Sequence, residues 1–488
     1  MVIGLSLCAR TYFKEMELVK KKYDLVVIGA GSGGLVSAEI AAKFGAKVAL
    51  VEQMSNLGGE CLNAGCVPSK ALIKAARTAY AVSNGHKFGV EAEAKVNFAN
   101  VMKHVKGSID VIEKARDNDA HYIEMGVDMY HGKAQFSSPK SISVGGEEIE
   151  FKKCIIATGS RPLVPSISGI EETSYLTNES IFELTSLPEK LTVIGGGPIA
   201  VELGQAFAML GSEVTLLVRE DRLLPREEQT AANALQAEFE SMGITIHFGV
   251  ELKSTTGKTG DITVTYNKNG IQSELMSTHL LLAAGRLPNT DLNLDAAGVG
   301  LTERGAVIVN DQLQSSQKNI YAVGDCNGGM QFTHVAAEQA TIAVQNALLF
   351  GRRKNGTQMP VWTTFTTPEI AHLGAYESEL KKKAISFKSH VFSYDDIDRA
   401  VAEGEHGYIQ VFTAKNDQIL GATIVGENAG ELTAQLALAV HNKIGFKRLG
   451  ATLQAYPTYG MGLKEMASRV GLEELSNGTL GKIIRRII

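Results

Sequence analysis

The 488-residue chain has few cysteines, no long apolar run and no block of basic residues. Five cysteines are too few for a disulfide scaffold, which favours a reducing compartment, so we expect a cytoplasmic protein. Because no run of about 18 apolar residues occurs, the sequence predicts no membrane-spanning helix. The formal net charge of −5 argues against nucleic acid as a main partner.

Glycine is abundant, at 50 of 488 residues, which suits several phosphate-binding turns. An apolar content of 44% is ample for sizeable cores. The length predicts about three domains.

The first glycine-rich turn follows a predicted buried strand over residues 23–28. Gly29, Gly31 and Gly34 stand in the order G-x-G-x-x-G and open a helix predicted over 35–44. A second predicted strand, over 47–51, is followed by Glu52. The glycines let the backbone approach a pyrophosphate at a helix N-terminus, and the carboxylate accepts hydrogen bonds from ribose hydroxyls. This order predicts a dinucleotide site.

The pattern recurs after a predicted strand over 191–194. Gly195, Gly197 and Ala200 give the G-x-G-x-x-A variant, followed by a predicted helix over 200–210 and a strand over 213–218. Two such units imply two dinucleotides. The first unit is followed at once by a cysteine pair.

That cysteine pair, Cys61 and Cys66, lies five positions apart in the segment GGECLNAGCVPSK over residues 58–70. A disulfide needs Cα atoms about 4.4–6.8 Å apart, whereas positions i and i+5 of a regular helix are separated by about 7.5 Å of rise. Bridging the pair therefore requires a distorted first turn, which Gly65 permits. A tight bridge of this kind is typical of a reducible, catalytic disulfide.

The C-x4-C-V-P-S-K segment resembles the redox-active disulfide of the class I pyridine nucleotide–disulfide oxidoreductases. That family includes glutathione reductase, dihydrolipoamide dehydrogenase and mercuric reductase, and the resemblance runs from about residue 23 to about residue 462. It implies that Cys66 faces the flavin as the charge-transfer thiolate and that Cys61 is the interchange thiol. It also implies that Lys70 lies near the flavin with Glu202 as its acidic partner.

The motifs and the resemblance together predict an α/β chain with two Rossmann-like dinucleotide-binding domains and a C-terminal α+β dimerisation domain. A leader over 1–22, a candidate for disorder, precedes an FAD-binding domain with parts at 23–158 and 286–358. The NAD(P)-binding domain spans 159–285 and the dimerisation domain spans 359–488. The family forms homodimers in which the partner subunit completes the active site.

Each role has candidate residues. We expect FAD to be bound by Gly29, Gly31, Gly33, Gly34, Glu52, Gly59, Lys70, Thr158, Gly159 and Asp325. The expected NAD(P) residues are Gly195, Gly197, Ile199, Glu202, Arg219, Arg222 and Gly285. The expected catalytic residues are Cys61, Cys66, Lys70, Glu202 and Tyr456, and no structural metal is expected.

The choice of nicotinamide depends on the end of the second strand of the second unit. An NAD-binding unit would carry an acid there, whereas this chain has Val218 or Arg219, followed by Arg222. Arginines suit the 2′-phosphate of NADPH by charge and by their forked donors. Glu220 and Asp221 could instead serve a ribose, which keeps NADH as the alternative.

The electron acceptor depends on Tyr456, which stands where disulfide reductases of the family carry a proton-shuttling histidine. Met461 stands where they carry the glutamate paired with that histidine. A phenol is a poor base at neutral pH, so dithiol chemistry is disfavoured. Mercuric reductases also place a tyrosine here, but they deliver the metal with a C-terminal cysteine pair, and no cysteine follows Cys326. Glu60, where the family usually has threonine, could raise the pKa of Cys61 or attract a cation.

We therefore expect an FAD-dependent NAD(P)H oxidoreductase of mercuric-reductase type. Electrons would pass through Cys61 and Cys66 to a small acceptor, either a metal ion such as Hg(II) or Cu(II), or a quinone. One alternative is a dihydrolipoyl dehydrogenase or another disulfide reductase. The other is a redox-sensing flavoprotein of low turnover that binds a partner.

Overall fold

The computed structural model describes residues 21–349 and 351–487. The predicted leader therefore lies almost wholly outside the described residues, and its last two residues, Lys21 and Lys22, open the first strand. The strands are β1 Lys21–Ile28, β2 Val48–Glu52, β3 Val127–His131, β4 Ala134–Ser138, β5 Ser141–Val144, β6 Glu147–Ile156, β7 Ser160–Pro162, β8 Lys190–Ile194, β9 Glu213–Leu217, β10 Thr245–His247, β11 Glu251–Lys258, β12 Asp261–Lys268, β13 Ile271–Ser277, β14 His279–Leu282, β15 Arg286–Pro288, β16 Ile320–Ala322, β17 Val361–Thr364, β18 Ile370–Gly374, β19 Lys388–Ser393, β20 Tyr408–Thr413 and β21 Ile419–Val425. The helices are α1 Ser32–Lys43, α2 Gly59–Asn63, α3 Cys66–Ser83, α4 Phe98–Ala115, α5 Asp119–Glu124, α6 Pro198–Leu210, α7 Gln229–Ser241, α8 Leu294–Ala297, α9 Thr333–Leu348, α10 Glu377–Lys382, α11 Asp398–Glu403, α12 Ala429–His441, α13 Gly460–Asn477 and α14 Thr479–Ile487.

The chain folds into two compact units. Of the described residues, the first contains residues 21–57 together with Asp119–Gly159 and Asn289–Arg353. Its sheet has the order β3-β2-β1-β6-β5-β4, and β16 also pairs with β6. The strands β3, β2, β1, β6 and β16 run parallel, as expected of a doubly wound dinucleotide-binding fold.

The apolar run at the end of β1 is buried on both faces of this sheet. Leu25 and Val27 pack in one core with α1 and α9, whereas Val26 and Ile28 pack in another core with β4 and β5. Burial on both faces explains why a parallel central strand reads as continuously apolar rather than alternating.

The second unit contains Gly58–Asn118, Ser160–Pro288 and the chain from Lys354 onward. Its parallel sheet has the order β10-β9-β8-β14, and an antiparallel sheet β11-β12-β13 follows in sequence. The C-terminal part is a five-stranded antiparallel sheet, β17-β18-β21-β20-β19, whose core includes residues of α12 and α13. This is the predicted fold class: two Rossmann-like regions and an α+β region.

The grouping of residues 58–118 differs from the sequence-based division, which assigns them to the FAD-binding domain. In the structure, Leu72 and Ala76 of α3 pack in one core with Val201 of α6 and Leu191 of β8. The domain limits given above remain predictions. None of the helices in residues 21–349 and 351–487 is long and apolar enough to cross a membrane.

Candidate active site

The first glycine turn connects β1 to α1 by close backbone approaches. Gly29 has φ +98°, and a Cβ at that residue would lie 2.5 Å from the Ala157 carbonyl oxygen. A Cβ on Gly34 would lie 1.7 Å from the Gly29 carbonyl oxygen. The helix begins at Ser32, three residues before the predicted start, because Gly33 and Gly34 already belong to its first turn. Gly31 is its N-cap, so no side chain covers that end of the helix.

Glu52 is held against this turn. Its side chain is 7% exposed, and its carboxylate accepts hydrogen bonds from the backbone N–H groups of Ala30, at 2.7 Å, and Met54, at 2.9 Å. Both carboxylate oxygens are thereby fixed at the end of β2. A glycine turn at a helix N-terminus beside a fixed carboxylate fits the pyrophosphate and ribose of FAD.

The other candidate FAD residues of this unit lie at the same sheet edge. Thr158 and Gly159 follow β6, and Asp325 follows β16, which runs parallel to β6. The carboxyl ends of β1, β6 and β16 therefore meet where ligands bind in open α/β sheets. Thr158 donates its hydroxyl to the Asn289 carbonyl at 2.5 Å, and a Cβ on Gly159 would meet nothing within 4 Å.

The cysteine segment is a broken helix, as the sequence predicts. Cys61 lies in α2, and Cys66 is the first residue of α3. At the break, Gly65 has φ −133° and ψ −109°, and a Cβ there would lie 2.9 Å from the Glu60 carbonyl oxygen and 3.4 Å from the Cys61 Cα. Only glycine fits so close an approach, which brings the residue before Cys66 onto the backbone of Cys61.

The two cysteines differ in position and accessibility. Cys66 is exposed at the N-terminus of an 18-residue helix, and Cys61 is partly buried. A helix N-terminus stabilises a thiolate, which is the reactive form of cysteine. Gly59, assigned above to FAD, begins α2 with φ +55°.

Lys70 and Glu202 form the expected contact. The Lys70 ammonium lies 2.7 Å from Glu202 Oε2 and 4.4 Å from the centroid of the Phe365 ring. Glu202 Oε1 accepts a hydrogen bond from the Phe365 backbone N–H at 2.9 Å. Glu202 is buried, whereas the Lys70 side chain is 37% exposed.

Glu60 is paired within the chain. Arg286 Nη1 donates to Glu60 Oε1 at 2.6 Å, and Nη2 donates to Oε2. Asn178 Nδ2 also donates to the carboxylate. Burial raises the pKa of Glu60, and the charge of Arg286 opposes that rise. Within the described residues, Glu60 is thus paired with the cation of Arg286.

The second glycine turn repeats the geometry of the first. Gly195 has φ +131°, and a Cβ there would lie 2.3 Å from the Ala283 carbonyl oxygen. Gly197 is the N-cap of α6, where a Cβ would meet nothing within 4 Å, and Ile199 lies in the first turn. Gly285 follows β14, which pairs with β8 in parallel, so it lies at the same sheet edge.

The two candidate arginines follow β9 and contact their own loop. Arg219 is exposed and donates to the Glu220 carboxylate, at 3.1 Å from Nε and 2.6 Å from Nη2. Arg222 donates to the Gln229 side chain and to the Pro225 carbonyl. Arg219 and Glu220 form an ion pair in which the arginine stays exposed, so the loop presents both an arginine and an acid.

Tyr456 lies on the surface before α13. Its side chain is 67% exposed, and its hydroxyl donates to Asp398 Oδ2 at 2.7 Å. This hydrogen bond raises the pKa of Tyr456 above that of an ordinary tyrosine, so the phenol keeps its proton. Met461 lies one turn on, in α13, and has no carboxylate to offer.

Sequence reasoning missed four contributors: Asn178, Arg286 as a partner of Glu60, Phe365 and Asp398. Each is far from its partner in sequence, by 118, 226, 163 and 58 residues respectively. Arg286 lies at the predicted border between the NAD(P)-binding domain and the second part of the FAD-binding domain. No local spacing pattern could have found these pairs.

Comparison with known proteins shows a family whose models match most of the chain. Residues 23–340 match the family model of the pyridine nucleotide-disulphide oxidoreductases, and residues 361–467 match the dimerisation domain of that family. A mercuric reductase of Staphylococcus aureus is 36% identical over 446 residues, which cover 91% of this chain and 81% of that protein. A dihydrolipoyl dehydrogenase of Thermus scotoductus is 34% identical over 456 residues, covering 92% of this chain and 97% of that protein.

Solved structures with the same fold include two bacterial chains. The Cu(II) complex of the HOCl-induced flavoprotein disulfide reductase RclA from Escherichia coli has a TM-score of 0.83 at 27% identity, over 92% of this chain and 100% of that one. LpdA from Mycobacterium tuberculosis has a TM-score of 0.83 at 26% identity, over 92% and 99% of the two chains. The C-terminal match indicates a homodimer. This chain belongs to the pyridine nucleotide-disulphide oxidoreductase family and is an FAD-dependent oxidoreductase that takes its electrons from NAD(P)H.

Proposed function

We propose that this enzyme passes electrons from NAD(P)H through a Cys61–Cys66 redox disulfide to a small acceptor from which no proton has to be removed. The acceptor classes are a metal ion, such as Hg(II) or Cu(II), and a quinone. FAD, held by the glycine turn at Gly29 and by Glu52, would supply the two-electron chemistry that links NAD(P)H to the disulfide. The cysteines then hold the electrons as a dithiol until the acceptor takes them.

The observation that carries this proposal is the hydrogen bond from Tyr456 to Asp398. Oxidation of a dithiol substrate needs a base that removes a proton near neutral pH. A phenol whose pKa is raised by a neighbouring carboxylate is a donor, not a base. Acceptors that need no proton removed are therefore favoured over dithiols.

The metal ions named for two similar proteins support the same acceptor class. The mercuric reductase of Staphylococcus aureus is named for its metal substrate, and the RclA structure from Escherichia coli is a Cu(II) complex. Thiolates are soft ligands suited to soft metal ions. We assign Cys61 to contact with the acceptor and Cys66 to the charge-transfer interaction with the flavin, as the resemblance implies.

A dihydrolipoyl dehydrogenase is the second candidate. The Thermus scotoductus enzyme of that name is 34% identical to this chain, and the match covers 97% of that enzyme. Tyr456 and Met461 argue against it. A redox sensor of low turnover is the third candidate, and it predicts slow reduction of every acceptor tested.

For the electron donor we propose NADPH in preference to NADH, because Arg219 is exposed and forked donors match a 2′-phosphate. We further propose a cytoplasmic homodimer whose partner subunit completes the active site. In this assignment, Lys70 and Glu202 act beside the flavin, and the glycines and Glu52 hold the cofactor.

The experiment is an acceptor screen on purified holoenzyme with NADPH or NADH. Turnover of Hg(II), Cu(II) or quinone well above that of lipoamide or oxidised glutathione supports the proposal. Rapid, NAD⁺-dependent oxidation of dihydrolipoamide selects the second candidate, and slow turnover with all acceptors selects the third.

A further inference from the structure

The residue immediately before Cys61 belongs to a charge network that the proposed chemistry does not use. Glu60 and Arg286 are both largely buried, with side chains 27% and 13% exposed. The guanidinium fork faces the carboxylate with Nη1 on Oε1 and Nη2 on Oε2, which is the strongest geometry for this pair of groups.

A short β ladder holds the arginine of this ion pair in place. Arg286 opens β15, which pairs antiparallel with β7. The same guanidinium donates from Nε to the Ser160 hydroxyl at 2.8 Å and from Nη2 to the Ser160 carbonyl at 3.0 Å. Four hydrogen bonds therefore fix the plane of the guanidinium, and through it they fix the side chain of Glu60.

Asn178 clamps the same short helix from a second point. This buried amide donates both to the Glu60 carboxylate and to the Ala64 carbonyl, at 3.1 Å, where α2 ends. The helix that carries Cys61 is thus held at its beginning and at its end. Since α2 has only five residues, its conformation depends on these contacts rather than on its own hydrogen bonds.

We propose that the Glu60–Arg286 pair, clamped by Asn178, is a positioning device that holds the Cys61 turn and sets the reduction potential of the Cys61–Cys66 couple. The inference rests on the proposed function, in which this couple is redox-active. Reduction breaks the S–S bond. The hydride of NAD(P)H supplies both electrons and one proton, and solvent supplies a second proton when both sulfurs end as thiols.

The sign of each charge determines its effect on that equilibrium. Glu60 directly precedes Cys61 in α2, so the charge on Glu60 is carried by the residue next to the one at which reduction forms a thiolate. A nearby negative charge disfavours a thiolate and a nearby positive charge favours it. In the wild-type chain the two charges offset each other, and removing either one leaves the other unbalanced beside the couple.

The test measures the dithiol fraction of the holoenzyme after anaerobic equilibration in dithiothreitol redox buffers. Samples are quenched with a maleimide, and the labelled Cys61 and Cys66 peptides are counted by mass. We expect Glu60→Gln to favour the dithiol by about tenfold in the equilibrium constant, which corresponds to about 30 mV for a two-electron couple. Arg286→Gln should favour the disulfide, and the double variant should lie nearer to the wild type than either single variant.

Two controls separate charge from folding. Glu183→Gln removes an exposed carboxylate that pairs with Lys106 elsewhere in the same unit, and it should leave the equilibrium unchanged. Arg286→Lys keeps the charge but loses the fork, and it should shift the equilibrium less than Arg286→Gln does. If Arg286→Gln does not fold, the sign of the Glu60→Gln shift against the Glu183→Gln control decides the matter.

The outcomes are distinct. Opposite shifts in the two single variants support the inference, because a merely loosened turn would move both in the same direction. Shifts of the same sign, or none, with a wild-type couple that titrates normally, overturn the inference and leave the proposed function standing. A wild-type pair that never forms a disulfide overturns the proposed function, and the inference with it.

Discussion

The Lys70 ammonium and the Glu202 carboxylate lie 2.7 Å apart and connect α3 to α6. The second carboxylate oxygen of Glu202 accepts a hydrogen bond from the Phe365 backbone N–H. The side chain therefore makes both a hydrogen bond to the backbone and an ion pair. Its replacement should therefore reveal which contact carries more of the free energy of folding.

Glu202→Ala removes both contacts, so we expect the free energy of unfolding to fall by about 1–3 kcal/mol, because the Phe365 N–H loses its acceptor. Glu202→Gln should cost less, since an amide oxygen still accepts from Phe365 and the lost partner, Lys70, is partly exposed. Urea unfolding of the holoenzyme measures both. Glu213→Gln, which removes an exposed partner of Lys190, is the matched control. Equal effects of Glu202→Ala and the control would refute this reading of the contact.

Glu52 should determine how tightly FAD is retained. Its carboxylate is fixed by the N–H groups of Ala30 and Met54, which aim it for the ribose hydroxyls. We expect Glu52→Ala to weaken FAD binding by about 1.5–3 kcal/mol, the range for hydrogen bonds to a charged group. The ratio of flavin to protein absorbance after gel filtration measures the loss. Glu39→Gln, on the exposed face of α1, should retain the wild-type ratio.

The nicotinamide preference should depend on the loop after β9. We expect kcat/KM to favour NADPH, and Arg219→Ala to reduce that preference by about 1–2 kcal/mol through the loss of a charge-assisted hydrogen bond. Arg222→Ala should reduce it by a similar amount, with an added loss of loop order because Arg222 also holds Pro225 and Gln229. Glu220→Gln tests the opposite assignment. If it selectively impairs NADH use by an NADH-preferring wild type, Glu220 reads the ribose.

Tyr456 should matter for the acceptor and not for reduction of the flavin. We expect Tyr456→Phe to slow Hg(II) or Cu(II) reduction while leaving flavin reduction by NADPH unchanged in stopped flow. Asp398→Asn should have a smaller effect in the same direction, because it loosens the phenol without removing it. Since the pKa of Tyr456 is raised above the ordinary value of about 10, no ionisation of this phenol should appear in the rate between about pH 6 and 9.

Dithiol substrates give the complementary result. General-base catalysis is typically worth about 10²–10⁴-fold, and neither Tyr456 nor Met461 supplies it. Tyr456→His alone should not restore dihydrolipoamide oxidation fully, because the glutamate that orients such a histidine is also absent. Full activity in this variant would show that the missing base alone excludes dithiols.

Local motifs predicted the parts of this structure that depend on neighbouring residues. The glycine turns at Gly29 and Gly195 and the broken helix at Gly65 follow from steric demands within a few positions, and the structure has all three. The strand and helix limits differ from the predicted ones by a few residues, chiefly where glycines join the first turn of a helix.

Contacts between distant residues could not be predicted in the same way. The choice of Arg286 for Glu60, or of Asp398 for Tyr456, depends on how β15 and α11 are placed by the whole fold. The sequence shows Glu60 beside Cys61 and a phenol at Tyr456 but no partner for either. The tertiary structure supplies a partner for each.

The most direct test of the account is anaerobic two-electron reduction of the holoenzyme, followed by its absorbance spectrum. We expect a long-wavelength thiolate-to-flavin band in the wild type, its loss in Cys66→Ala, and its presence without prior reduction in Cys61→Ala, where Cys66 has no disulfide partner. Spectra of both variants that match the wild type at every stage would contradict the assignment of Cys61 and Cys66 as the redox disulfide.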